Sequence, residues 1–208
     1  MREIQVVAVM PREKGRMYVR FEDGVEVELY RGELHKLSRQ ELGMLLKEGG
    51  YVPMALYQKV LKEILGIRVK KRALFLLERM DRTEQQLYEK LRQSSYPEVC
   101  IEEAVAYVKQ YHYIDDLKYA KTYVRCQQQK KSRQRLRTDL IKKGVARELI
   151  EQALEEEFAS DEREKIKELL EKRHYDCACT DRREQQRMYQ FLMRRGYKNG
   201  DILAVMRQ

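Results

Sequence analysis

The first part of the chain alternates apolar and polar positions in the way that is typical of β-strands. An apolar run at 4–10 precedes two stretches, 17–21 and 25–29, in which every second residue is apolar. The Asp-Gly pair at 23–24 predicts a two-residue type I′ hairpin turn between the last two stretches, since that turn needs positive φ at both central residues. The pattern therefore predicts a three-stranded antiparallel meander with one wet face.

The next stretch spaces its leucines as a helix would. Three strands alone are marginal and need a helix over their dry face. Residues 33–65 provide it: a short helical hairpin, a break at Gly49-Gly50, and a further helix that starts at Pro53 and runs to Leu65. Gly66 is the predicted boundary of this N-terminal part.

From residue 67 onward the spacing is helical, and the sequence repeats itself. Thr83–Val105 aligns with Ser132–Leu154 without a gap, at a shift of 49 residues, and a third copy lies 52 residues further on. The aligned apolar positions of the first two copies are Leu87 and Leu136, Leu91 and Leu140, Tyr96 and Val145, Ile101 and Ile150, and Val105 and Leu154. Gly144 and Gly196 both fall just after a helix, where a left-handed residue commonly ends it.

A further helix precedes each helical pair, at about 68–80, 115–129 and 160–173. The sequence thus predicts a mainly α fold of three tandem three-helix, helix-turn-helix-like repeats in an elongated array, with a small N-terminal antiparallel β-meander plus helices. The predicted domains are 1–66 for the N-terminal extension, then 67–113, 114–158 and 159–208 for the repeats. Such arrays offer long surfaces to extended partners and rarely build a deep catalytic pocket.

The charge is strongly basic. The 43 Lys and Arg exceed the 34 Asp and Glu, which gives a net charge of +9 and a pI of about 9.3. A basic surplus favours a polyanionic partner, most commonly nucleic acid. The alternative is a highly charged surface that serves solubility alone.

The basic residues are concentrated in the middle repeat. Between residues 121 and 143 there are nine basic side chains and one acid, Asp139. We interpret this cluster as a partner- or DNA-binding surface, made of Lys121, Arg125, Lys130, Lys131, Arg133, Arg135, Arg137, Lys142 and Lys143. Several of these open a helix, where positive charge opposes the macrodipole and free N–H groups suit phosphate or carboxylate. Alternatively, the basic cluster is only a solvent-exposed face, and the acidic side chains of the next helix neutralise it across the repeat. A second, weaker cluster in the third repeat comprises Arg182, Arg183 and Arg187, with Arg194 and Arg195 further on.

The sequence offers no catalytic arrangement. It has no glycine-rich phosphate loop, and its three histidines are scattered. His174, Asp176, Cys177 and Cys179 could ligate a metal, but their spacing is not a usual zinc pattern, and a loop with two reduced thiols is the prediction. No apolar stretch is long enough to span a membrane, and no signal peptide is visible. We therefore expect a cytoplasmic protein that is not an enzyme and needs no cofactor or metal.

Several motifs resemble the RecX family. They are Tyr113-Ile114-Asp115-Asp116-Leu117-Lys118-Tyr119-Ala120 with Tyr123-Val124, and Lys130-Lys131-Ser132 running into Leu136, Leu140 and Lys143-Gly144-Val145. Ala73-Leu74, Leu77, Arg82-Thr83-Glu84 and Leu87 resemble the family's first repeat. The resemblance covers about 68–208, with a looser third repeat. Asp115, followed by Asp116 in the first turn, is predicted to be a structural helix N-cap.

The resemblance implies a modulator of the RecA recombinase. Such a protein is expected to lie along the RecA nucleoprotein filament as a monomer, with no membrane partner, and to restrain ATP hydrolysis, strand exchange and repressor cleavage. Single- and double-stranded DNA are expected to bind more weakly. The alternatives are a stand-alone nucleic-acid-binding helical module without RecA specificity, and an adaptor for acidic proteins.

Overall fold

The computed structural model describes residues 2–176 and 181–207. The chain forms two compact units. The first contains the residues up to 82 together with 86–114, and the second contains 83–85 and 115–208.

The N-terminal sheet has four antiparallel strands in the order β3-β2-β1-β4. These strands are β1 (Glu3–Arg12), β2 (Arg16–Phe21), β3 (Glu26–Leu29) and β4 (Tyr51–Pro53). The predicted meander of the first three is confirmed, but the sequence pattern missed the fourth. With three residues, β4 is too short to show alternation, and it pairs with residues 3–5 at the far edge of β1.

The predicted type I′ turn between β2 and β3 is wrong. Gly24 has a φ of 82°, whereas Asp23 does not have positive φ, so only one central residue is left-handed. The Phe21 amide donates to the Val25 carbonyl at 3.0 Å, which makes a longer loop closed by a single glycine. Asp23 is held by its side chain instead: it accepts the Tyr57 hydroxyl at 2.6 Å and the Val25 amide at 3.0 Å.

The helices of the first unit cover the sheet and then form the first repeat. They are α1 (Arg31–Leu34), α2 (Arg39–Leu45), α3 (Met54–Lys59), α4 (Ile67–Arg79), α5 (Glu84–Arg92) and α6 (Glu98–Gln110), with a π-helical segment, Val60–Gly66, between α3 and α4. Gly66, the predicted boundary, is therefore a buried residue within a continuous run of helix. Apolar side chains on both sides of it share one core, so the division of the chain at residue 66 stays a prediction.

The second unit consists of two further three-helix repeats, as the pattern predicts. Its helices are α7 (Asp116–Gln127), α8 (Arg133–Lys142), α9 (Arg147–Glu157), α10 (Glu162–Glu171), α11 (Arg182–Arg194) and α12 (Asn199–Met206). Each repeat buries its own small core, one around Leu136, Leu140 and Ile150, the other around Ile166, Leu192 and Ile202. Asp115 caps α7 by accepting the Lys118 amide at 2.9 Å, which confirms its structural role.

The ends of the middle helices follow the predicted glycine rule. Gly144 and Gly196 have φ of 84° and 85°. In each case the next amide bonds back to the aligned leucine carbonyl: Val145 to Leu140 at 3.2 Å, and Tyr197 to Leu192 at 3.3 Å. This is the pattern of a Schellman motif, which satisfies carbonyls at a helix end.

Candidate nucleic-acid interface

Much of the basic cluster of the middle repeat is neutralised inside that repeat. Helices α7 and α9 pack against each other, which brings the acids of α9 beside the cations of α7 and α8. The ion pairs are Lys121 with Glu156 at 2.5 Å, Arg125 with Glu157 at 2.8 Å, Arg137 with Glu151 at 2.5 Å, and Lys131 and Arg135 with Asp139 at 2.8 and 3.4 Å. Of the nine predicted binding residues, these five already have a carboxylate partner.

The pKa values of the glutamates on α9 are lowered, as expected for carboxylates in ion pairs. The Arg137 guanidinium lowers the pKa of Glu151 through two hydrogen bonds, at 2.5 and 2.7 Å, and Arg125 lowers the pKa of Glu157 in the same way. The ammonium of Lys121 lowers the pKa of Glu156. The acidic helix is thus the internal counter-charge of the basic one. For these residues, the arrangement matches the alternative in which the acidic side chains of the next helix neutralise the basic cluster.

The start of α8 is also occupied. Ser132 caps the helix by accepting the Arg135 amide at 3.2 Å, and the Arg133 amide donates to the Glu162 carboxylate at 2.8 Å. Of the two anions expected at this helix terminus, the carboxylate is therefore present, supplied by the first residue of α10. The negative charge of Glu162 also offsets the unfavourable cations of the first turn.

The remaining cations of the predicted cluster have different surroundings. Lys130 and Lys142 are exposed and make no ion pair within residues 2–176 and 181–207. The Lys143 ammonium lies 5.2 Å from the centre of the Tyr123 ring, and the Arg133 guanidinium 5.9 Å from that of Phe158. Lys143 and Arg133 thus lie over aromatic rings and, like Lys130 and Lys142, have no carboxylate ion pair in the described part of the chain.

The second cluster is divided along one helix. Arg182, Arg183 and Arg187 are exposed in the first two turns of α11, and Arg182 borders an open cavity of about 750 Å³ with Tyr175 and Tyr189. Arg194 and Arg195 stand at the opposite end, roughly 18 Å away at 1.5 Å rise per residue.

That far end of α11 meets the basic loop before α8. A cavity of about 330 Å³ lies there, between the second and third repeats. Its lining is Lys130, Lys131, Ser132, Arg135, Arg194, Arg195 and Tyr197. Five of these seven residues are cationic and none is acidic. We call this cavity the junction pocket.

Two buried polar groups fix the junction. Ser132 is 1% exposed, and its hydroxyl donates to the Arg195 carbonyl at 2.7 Å. Lys165 is 8% exposed, and its ammonium donates to the carbonyls of Gln128 and Lys131. Burial lowers the pKa of Lys165. The loop that carries Lys130 and Lys131 is therefore bonded to both neighbouring helices of the third repeat.

The alignment of the repeats contains a sequence signal for the cations that the end of α11 contributes to the junction pocket. Arg194-Arg195-Gly196 stands 52 residues after Lys142-Lys143-Gly144, so each repeat ends its middle helix with two cations and a glycine. Along the sequence, Arg194 and Arg195 group with the arginines of their own helix. Only tertiary packing brings them to Lys130.

The possible metal motif falls partly outside the residues that the structure describes. The cysteines of the possible metal motif, Cys177 and Cys179, lie outside the described residues. In the part that is described, no three His, Cys, Asp or Glu side chains form a group that could hold a metal ion. Cys100 is buried, which raises the pKa of its thiol to about 11, and Cys126 is exposed. No described helix combines the length and apolar character that a membrane span needs.

Comparison with known proteins gives consistent matches. The family models for the first, second and third three-helix domains of RecX match residues 70–107, 115–154 and 161–206. A regulatory protein RecX of Caldanaerobacter subterraneus subsp. tengcongensis is 31% identical over 199 residues, which cover 95% of each chain. One from Vibrio parahaemolyticus is 36% identical over 148 residues, covering 71% of this chain and 94% of the relative.

Solved structures agree on the fold. A crystal structure of a regulatory protein RecX superposes with a TM-score of 0.62 at 20% identity, covering 99% of this chain and all of that one. RecX from Lactobacillus salivarius gives a TM-score of 0.57 at 23% identity, covering 69% of this chain and 95% of that one. With three consecutive domain matches and relatives above 30% identity over almost their full length, the chain belongs to the RecX family.

Proposed function

We propose that this chain regulates the RecA recombinase by binding along the RecA–DNA filament. Its action is to restrain RecA's ATP hydrolysis, strand exchange and stimulation of repressor cleavage. The observation that carries the proposal is the match of all three RecX domains in order, together with near full-length relatives named regulatory proteins.

The charge distribution supports a filament as the target. A RecA–DNA filament presents phosphates next to protein. Lys130, Lys142, Arg194 and the first-turn arginines of α11 remain exposed and without ion pairs in the described part of the chain, so they retain charge for such a surface. The ion-paired residues Lys121, Arg125 and Arg137 contribute less, since their carboxylate partners must first be displaced.

In this proposal the chain is a cytoplasmic monomer that acts by binding and catalyses no reaction itself. A regulator of this kind needs no cofactor. It differs from an enzyme in an assay that omits RecA, where it should hydrolyse no ATP.

The second candidate function is a nucleic-acid-binding module without RecA specificity. The junction pocket favours it, because a cavity with five cationic and no acidic residues among its seven described lining residues would attract phosphate in the absence of any protein partner. Helix α9 disfavours sequence reading in the major groove: as the last helix of its repeat it would be the recognition helix, but its side chains include Glu148, Glu151 and Glu155.

The deciding experiment measures ATP turnover by RecA on single-stranded DNA while this protein is titrated from substoichiometric to equimolar amounts. We expect turnover to fall in that range. A general DNA binder would slow RecA only at concentrations that cover the DNA, and that effect would disappear when excess DNA is supplied. Unchanged turnover up to equimolar protein would contradict the proposed function.

A further inference from the structure

The junction pocket gathers more positive charge than the local fold requires. Lys130, Arg194 and Arg195 make no ion pair within residues 2–176 and 181–207, and Asp139 is a single carboxylate shared by Lys131 and Arg135. Five cations around one cavity repel each other, which costs folding free energy unless an anion is bound.

The hydrogen bonds of Ser132 and Arg133 have counterparts elsewhere in the second unit. There Thr83 occupies the position of Ser132, and its hydroxyl donates to the Lys143 carbonyl at 2.5 Å, as Ser132 does to Arg195 at 2.7 Å. The Glu84 amide donates to the Asp116 carboxylate at 2.9 Å, as Arg133 does to Glu162 at 2.8 Å.

In sequence, however, two of the five cationic pocket positions have no cation there. At the shift of 49 residues, Asp81 stands in place of Lys130, and Gln86 in place of Arg135. The same pair of hydrogen bonds therefore forms when one lysine is replaced by an acid and one arginine by an amide. The other three positions are cationic in both places, since Arg82 stands in place of Lys131, and Lys142 and Lys143 stand in place of Arg194 and Arg195. The added positive charge of the pocket therefore comes from Lys130 and Arg135, which these hydrogen bonds do not require.

The lining chemistry identifies the class of ligand. Arginines suit phosphate because the guanidinium presents paired N–H donors, and the pocket has three. An interface with an acidic protein would be expected to have exposed aromatic or aliphatic anchors at its centre. Among the described lining residues the only large apolar side chain is Tyr197, which is buried. A strongly cationic, polar surface is typical of contacts with nucleic acid.

We infer that the junction pocket is a binding site for a backbone phosphate of nucleic acid, formed jointly by the loop before α8 and the end of α11. Lys130, Arg194 and Arg195 are its principal ligands, with Arg135 and Lys131 behind them. The site rests on the proposed function for its setting, since a RecA filament holds the DNA that would supply the phosphate. It fixes the protein on the strand through the second and third repeats and reads no base.

The size of the cavity agrees with this assignment. At about 330 Å³ it lies at the lower end of the range for small-ligand sites, and it is partly open to solvent. A phosphodiester can enter while its sugar and base remain outside. Because the ligands come from two repeats, bound phosphate also ties those repeats together.

The test compares two variants in DNA binding without RecA. The pocket variant carries Lys130→Gln, Arg194→Gln and Arg195→Gln. The matched control carries Lys118→Gln, Arg92→Gln and Arg147→Gln, which remove the same charge from exposed helical sites outside the pocket. Affinity for a short labelled single-stranded oligonucleotide is measured by fluorescence anisotropy at several salt concentrations, and circular dichroism checks that both variants keep their helicity.

The pocket variant should bind roughly tenfold more weakly, and its salt slope should decrease by about 0.7, the change expected for the loss of one phosphate contact on a single strand. The control should retain most of the affinity. Equal losses in the two variants, or none in either, would overturn the site. Labelled polyglutamate, measured in the same way, serves as an acidic-protein probe. If the pocket variant lost polyglutamate binding but kept DNA binding, the site would be overturned in favour of an acidic protein partner. Because RecA is absent, this result is independent of the ATP-turnover assay, and either proposal can fail alone.

Discussion

The hydroxyl of Ser132 donates a hydrogen bond to the carbonyl of Arg195 at 2.7 Å, across the boundary between the second and third repeats. The same oxygen accepts the Arg135 amide at 3.2 Å, so one buried hydroxyl caps its own helix and terminates another. The Thr83 hydroxyl likewise donates to the Lys143 carbonyl, at 2.5 Å.

Ser132→Ala should lower the free energy of unfolding by about 2 kcal/mol, because it removes a helix cap and leaves the Arg195 carbonyl without the hydroxyl that donates to it. Ser132→Thr should retain most of the stability, since threonine performs the same task at position 83. Thermal or urea unfolding measures both, with the exposed Ser94→Ala as a control that should change little. A stability of Ser132→Ala equal to wild type would show that the cross-repeat bond is unimportant.

Gly196→Ala should destabilise the protein by roughly 1–3 kcal/mol for two independent reasons. The residue has a φ of 85°, and an added Cβ would lie 2.9 Å from the Ser132 hydroxyl oxygen. Gly43→Ala is the matched control, since Gly43 lies within helix α2 and, apart from its chain neighbours and the nearby backbone of its own helix, no described atom is within 4 Å of the position that an alanine Cβ would take there. Gly43→Ala should be neutral or stabilising, and unfolding midpoints that fall equally in both would contradict the prediction.

Ser95→Gly should stabilise the protein. Ser95 stands where the later repeats have Gly144 and Gly196, and it adopts the same left-handed conformation with a φ of 55°. A side chain there costs energy that glycine avoids, about 1 kcal/mol before the greater entropy of glycine in the unfolded chain is subtracted. We expect a small gain, of about 0.5 kcal/mol, in denaturant unfolding. Ser94→Gly, which changes the adjacent position with negative φ, should not stabilise.

Stability should fall at acidic pH because of the pairs between α9 and its neighbours. Hydrogen bonds from Arg137, Lys121 and Arg125 lower the pKa of Glu151, Glu156 and Glu157 respectively below the unfolded value of 4.5. The stability that they contribute is present above pH 4.5 and is lost as pH falls through their lowered folded values. Melting temperatures measured down to about pH 3 should decline less steeply when all three are changed to Gln. An unchanged pH profile in that variant would exclude these carboxylates as its source.

The same three substitutions provide a gain-of-function test of the neutralised cations. Without their partners, Lys121, Arg125 and Arg137 become available to phosphates, and DNA binding should strengthen with a salt slope steeper by up to about 2. In the opposite experiment, changing these three cations to Gln in the wild type should weaken DNA binding less than the pocket variant does. A larger loss than in the pocket variant would show that the paired cations are the main DNA contacts.

The sequence by itself determined the repeat, because the signals for it are local. Helical spacing, the glycine at each helix end and the Asp115 cap depend on residues a few positions apart, so they can be read without the fold. The short strand β4 and the single left-handed residue of the Asp23-Gly24 turn were missed. The first depends on pairing with a distant strand, and the second on the Tyr57 hydroxyl that holds Asp23.

The tertiary structure alone decided which charges remain available. In the sequence, residues 121–143 are a block of cations next to an acidic helix, and both interpretations of that block are open. Packing of α9 against α7 and α8 places its carboxylates within 2.5–2.8 Å of Lys121, Arg125 and Arg137, whereas Lys130 is left at the junction with Arg194 and Arg195. Electrostatic pairing acts over a few ångströms in space, and separations of 14 to 65 residues along the chain do not reveal it.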